Sequence, residues 1–156
     1  MNTVDVSYSD AAFRKAAPRK FVLGYLDKVL REAGLDNVEF SVSFVGEQEM
    51  HGMNLEYRGI DDSTDILSFA AEDEVEDGFS FISAGKKRRV LGDMVICLPV
   101  MDRNALSFGV PEKEELCRLL IHGVLHLSGE NHETNDSSEP MLIHQENILK
   151  NLGTEV

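Results

Sequence analysis

The amino-acid sequence predicts an α+β fold: a small mixed β-sheet flanked by helices, in a single domain spanning residues 1–156. Three observations predict it. Two segments, TVDVSY and VEFSVSFVG, alternate apolar and polar residues with the period of a half-buried strand. Other, longer segments repeat apolar residues at helical spacing and close on glycine. The two kinds follow one another with no internal repeat and no linker, and a chain of 156 residues is long enough for one sizeable core.

TVDVSY opens the chain as a strand. From Pro18 to about Ala33, Phe21, Leu26, Val29 and Leu30 keep helical spacing, and Gly34 follows as the stop. VEFSVSFVG sends Val38, Phe40, Val42 and Phe44 to one face. EQEMHGMNLEYRG gives a short helix ending near Gly59, and DILSFA a short strand. EDEVEDG carries five acidic residues in six positions and reads as a solvated loop. KKRRVLGDMVICLPV enters as a basic turn and becomes a buried strand, in which Gly92 indicates a bulge or a close backbone approach. MDRNALSFG forms a short helix that Gly109-Val110-Pro111 breaks. A long helix runs from Pro111 to about Ser128, and another from roughly Glu139 to Leu152.

Composition limits the function. The net charge of −13, from 28 acidic and 15 basic residues, argues against tight non-specific nucleic-acid binding, which runs on phosphate neutralisation. A small site can still be locally basic. Cys97 and Cys117 lie far apart in apolar stretches, as reduced core residues do, which fits a cytosolic protein and rules out a cysteine-rich zinc module. The N-terminus has no apolar run of signal-peptide length, and no segment approaches the roughly 18 apolar residues of a membrane span. The expectation is a soluble cytoplasmic protein without a membrane partner.

The chemistry concentrates in IHGVLHLSGENH, residues 121–132, which holds three of the chain's five histidines. On the long helix, Leu116, Leu119, Leu120, Val124 and Leu127 crowd one side, and Cys117, Ile121 and Leu125 extend the apolar surface. The remaining polar strip contains Glu115, Arg118, His122 and His126, so a helix this apolar opens its histidines into a cleft. Residues four apart on a helix are neighbours, so His122 and His126 can share one ion. Gly129 ends the helix and lets His132 return as a third ligand. Three neutral nitrogens leave a fourth tetrahedral position open, as in catalytic zinc sites. The structural alternative is a pair of core-edge histidines satisfied by hydrogen bonds. The spacing H-x-x-x-H-x-x-G-x-x-H is that of metzincin metalloproteases, but their general base, the glutamate after the first histidine, is Gly123 here.

HGVLHLSGENH resembles the H-G-x-L-H-L-x-G-x-D-H signature of the YbeY family of bacterial rRNA maturation factors. LEYRGIDDSTDILSF (residues 55–69) and LGDMVI (residues 91–96) resemble two further blocks of that family, in the same order. The likeness runs from about Val4 to Leu152. One departure is Glu130-Asn131, where the family usually carries an aromatic residue and an aspartate. The resemblance implies zinc or a similar divalent ion held by His122, His126 and His132. It also implies single-strand endoribonuclease activity in 3′-end maturation of small-subunit (16S) rRNA and in ribosome quality control, with ribosomal RNA and ribosomal proteins as partners and no DNA. It points to Arg58, the arginine of the second block, as the phosphate-binding residue, since guanidinium recognises phosphate bidentately. Apart from the resemblance, Arg58 reads as a helix-end arginine favourable with the dipole.

Other residues leave alternatives open. Asp65 and Asp93 flank apolar strand residues. Asp93 is read either as an acceptor orienting an imidazole N–H or as a carboxylate bonded to loop backbone. Thr64 and Ser68 read as turn and strand residues, because no serine-type elbow surrounds them. KKRR (residues 86–89) could touch phosphate, but such runs are more often solvated turns. His51 and His144 read as ordinary polar residues and Met141 as core filler. Two rival functions accompany the ribonuclease: a metallopeptidase whose base comes from elsewhere, and a non-catalytic ribosome-binding protein whose metal only holds the fold.

Overall fold

The computed structural model describes residues 1–71 and 88–156. Among these residues, four strands and six helices form the expected α+β arrangement. The strands are β1 (Thr3–Tyr8), β2 (Val38–Val45), β3 (Ile66–Ala70) and β4 (Arg89–Cys97). The helices are α1 (Phe13–Ala16), α2 (Arg19–Glu32), α3 (Glu47–Arg58), α4 (Leu98–Phe108), α5 (Glu112–Leu127) and α6 (Pro140–Leu152). The sheet order is β1-β2-β4-β3, with β1, β2 and β4 parallel and β3 antiparallel to β4 at the edge. No helix among the described residues is long and apolar enough to cross a membrane.

The period of two in β2 decides which side is buried. Val38, Phe40, Val42 and Phe44 join Leu26 and Val29 of α2, Leu120 and Val124 of α5, and Ile148 of α6 in the main core. A smaller cluster, with Met50, Leu67, Val95 and Val100, lies on the other side of β3 and β4 beneath α3. Met141 is core filler, as expected, at 2% exposure. Both cysteines are free and buried.

Two boundaries differ from the sequence reading. The four-residue α1 was not foreseen, because its FRKA segment has no apolar period to detect. The strand β4 ends at Cys97, and Leu98-Pro99-Val100 opens α4 instead of continuing the strand. Proline has no N–H to give a sheet ladder, but it is tolerated in the first helical turn, where that N–H would be unpaired anyway. The acidic EDEVEDG segment, and Lys86 and Lys87 of the basic run, lie outside the described residues. Of the rest of that run, Arg88 approaches Glu39 at 3.7 Å and Arg89 begins β4.

Gly92 shows both features expected of it. The β2–β4 register slips between Glu39, opposite Val90, and Phe40, opposite Gly92, so Leu91 is the extra residue of a bulge. Gly92 has φ of 130°, and a Cβ there would run into the carbonyl oxygen of Phe69 on the neighbouring strand. Gly92→Ala is therefore expected to cost about 3 kcal/mol, combining left-handed strain with a backbone clash. Chemical denaturation measures it; an unchanged midpoint would contradict the close approach.

Candidate metal centre

Helix α5 carries the first two histidines because its ends are defined. Glu112, Glu114 and Glu115 occupy the positive N-terminal turn. At the other end the Gly129 N–H bonds the His126 carbonyl and the Glu130 N–H bonds the Leu125 carbonyl, at 3.0 and 2.9 Å. Gly129 makes this closure with φ of 112°, and the reversed chain carries His132 back to the helix. The rings of His122 and His126 then lie 4.6 Å apart between centroids, and His132 is 5.3 Å from each. One nitrogen from each of the three lies within 4.8 Å of the others, so the group could hold a metal ion.

Hydrogen bonds select which nitrogen faces inward. His122 Nδ1 donates to Gln145 Oε1 at 2.6 Å, His126 Nδ1 to the Glu130 carbonyl at 3.0 Å, and His132 Nδ1 to the Thr134 carbonyl at 2.8 Å. Each acceptor is an oxygen without a hydrogen, so each Nδ1 carries the proton and each Nε2 keeps a free lone pair. The Gln145 amide is fixed in turn, since its Nε2 donates to the Glu146 carboxylate at 2.9 Å. Glu146 is gripped by Arg118, whose Nε and Nη2 reach its two oxygens at 2.8 and 3.2 Å. The same guanidinium bonds Glu115 at 2.8 Å and Glu114 at 2.9 Å. Arg118 is thereby neutralised by three carboxylates, which also explains how Glu115 sits at 3% exposure.

Burial favours the neutral imidazoles of His122 and His126. It lowers the pKa of His122, against the opposing bond from Gln145. Burial first, and then the nearby His122 and His132, push His126 down to about 4. Neutral imidazole is the ligating form, so the donor set fits a borderline divalent ion such as zinc.

The three histidines line a cleft of about 940 Å³ between α5 and β3. Arg58 is on its wall at the end of α3, donating to the Ser68 carbonyl at 2.8 Å with its guanidinium 5.4 Å from the centre of the Phe69 ring. Asp65 also lines it, bonded to Asn104 Nδ2 at 3.3 Å, with its carboxyl pKa raised by burial. Asp93 does neither thing expected of it. It is exposed and accepts from the Ser41 hydroxyl at 2.6 Å, because the alternation that turns Met94 toward α5 turns Asp93 to the opposite face.

The imidazole acceptors, Gln145 and the carbonyls of Glu130 and Thr134, were missed by the sequence reading. Backbone carbonyls leave no trace in side-chain identity. Gln145 did leave one: it is a polar residue four positions after Met141 on the buried side of α6. His144, read as an ordinary polar residue, has its Nδ1 2.9 Å from the Glu130 carboxylate. Glu130, at the departure from the family motif, thus ties the returning loop to α6 through its side chain while its carbonyl orients His126.

The family model described as Endoribonuclease YbeY matches residues 4–153. The chain belongs to the YbeY family. Among curated relatives named Endoribonuclease YbeY, that of Treponema denticola is 37% identical over 95% of this chain and 92% of its own length. That of Geobacillus thermodenitrificans is 41% identical over 82% of this chain and 85% of its own. That of Sulfurihydrogenibium sp. is 35% identical over 92% and 90%. A solution structure from Thermotoga maritima shares the fold, with a TM-score of 0.60 at 24% identity, covering 94% of this chain and 87% of that one. Neither the peptidase nor the non-catalytic alternative gains support from YbeY membership.

Gln145→Ala is expected to weaken divalent-metal affinity by about 10- to 100-fold, the usual cost of removing the partner that orients a ligating imidazole. Competition with a chromophoric chelator reads it, and an unchanged affinity would show that His122 needs no such support.

Proposed function

We propose that the chain is a metal-dependent endoribonuclease cutting single-stranded RNA, acting in 3′-end maturation of 16S rRNA and in ribosome quality control in the cytoplasm. The observation that carries the reading is the convergence of three histidines whose Nδ1 atoms are all committed to oxygen acceptors. In this reading His122, His126 and His132 hold one zinc or similar divalent ion, and the cleft beside them takes the RNA strand. A divalent ion bound there supplies Lewis-acid charge to the phosphodiester. Arg58 has one N–H on the Ser68 carbonyl and keeps other donors for a phosphate oxygen pair, with its plane supported by Phe69. RNA lowers the demand for a protein base, because its own 2′-hydroxyl is available as a nucleophile beside water.

Gly123 weakens the peptidase reading, which needs a base beside the attacking water. The test is purified protein on structured RNA and on casein, with and without chelator, accompanied by metal analysis of the protein as isolated. RNA cleavage abolished by chelator and restored by metal is the expected result. Casein cleavage would replace the reading with a peptidase, and chelator-induced unfolding without activity on either substrate would leave a structural metal.

A further inference from the structure

We propose that Phe108 is a base-stacking platform in the cleft, which makes its surroundings a nucleobase subsite; the inference rests on the endoribonuclease reading above. Phe108 is the last residue of α4, just before the left-handed Gly109 cap. It is 64% exposed although it is an aromatic residue. Among the described residues, nine large hydrophobic side chains are exposed, and Phe108 is the only one of them that lines the cleft holding the three histidines.

Charge explains why such a platform is needed. Among the described residues, the cleft is lined by two cations, Arg58 and Arg118, and two carboxylates, Asp65 and Glu115, so these side chains cancel. Arg118 is already bound by three carboxylates, and the whole chain carries −13. Beyond the phosphate held by Arg58, neutralisation by these side chains contributes little, so a single strand gains from a hold that does not depend on its backbone charge. Stacking on aromatic rings is the sequence-tolerant means of doing so, because unpaired bases expose a π-face. The amides of Asn104, Asn131 and Asn135 line the same cleft and offer donors and acceptors to a base edge. Asn104 is one turn before Phe108 on α4, on the same side of the helix. Asn104 spends one donor on Asp65, which holds the amide in place and leaves its oxygen to accept.

The test measures binding of a short single-stranded oligoribonucleotide to chelator-treated full-length protein by fluorescence anisotropy, with the unfolding temperature measured in parallel. Phe108→Ala is expected to weaken binding about tenfold without lowering the unfolding temperature, whereas Phe108→Tyr retains affinity and Phe108→Leu behaves as the alanine variant. Oligonucleotides abasic at successive positions refine this: at one position the abasic change weakens the wild type but not Phe108→Ala. A shallow salt dependence is expected, corresponding to about one or two phosphates. Equal affinity of Phe108→Ala and wild type overturns the platform, and leaves Phe108 to contact a protein partner. Equal affinity of the leucine and tyrosine variants also overturns it, since only apolar contact would then matter. If the wild type cleaves RNA while Phe108→Ala binds like it, the platform falls alone. If the wild type neither binds nor cleaves RNA, the endoribonuclease reading falls with it.

Discussion

His126→Ala is expected to reduce bound metal to below about a tenth of the wild-type content and to slow chelator-sensitive RNA cleavage by about 10³-fold, the scale of losing several kcal/mol of Lewis-acid stabilisation. The fold should survive. His126 belongs to the polar strip of α5, and the apolar residues that bind the helix to the sheet, Leu120, Val124 and Leu127 among them, remain. What the substitution removes from the fold is one bond to the Glu130 carbonyl, worth about 1 kcal/mol. Circular dichroism and elemental analysis of the same preparation separate the two effects. A folded alanine variant with full metal content would remove His126 from the ligand set.

Gly123→Glu is expected to destabilise the fold strongly instead of supplying a peptidase base. Residue 123 is one position, about 100°, round the helix from His122 and faces the sheet. A Cβ on Gly123 would stand 2.5 Å from Met94 Sδ and 3.3 Å from Ile66 Cδ1. A glutamate would thus drive an unpaired carboxylate between α5 and β4, at a cost of several kcal/mol. For a domain of this size that lowers the unfolding temperature by about 10 °C or more. Gly123→Ala is the control. The nearest atoms belong to the far end of flexible Met94, and the gain in helix propensity of about 1 kcal/mol offsets much of the crowding. A Gly123→Glu protein melting with the wild type would contradict the close packing of helix on sheet.

The glycine that the sequence reading took as a missing base is thus explained by packing. That difference separates what could be read in advance from what could not. Alternation in β2, the acidic first turn of α5 and the spacing of His122, His126, Gly129 and His132 are local patterns of fixed period. From them the α+β class, the cleft-facing strip and the convergence of three imidazoles followed directly. Asp93 shows the limit: its type and its strand were right, but the face it occupies depends on the bulge at Leu91 and on which neighbour Met94 meets.

The sequence by itself determined most of the elements, the convergence of three histidines and the family, because periodicity and motif spacing are properties of neighbours along the chain. Only the tertiary structure decided what orients each imidazole, why position 123 has no room for a long side chain, and which exposed aromatic shares the cleft with the histidines. Those are contacts between α5, α6, α4 and the sheet. Such contacts join residues remote in sequence, and several run through backbone carbonyls that every residue carries alike, so no residue letter records them.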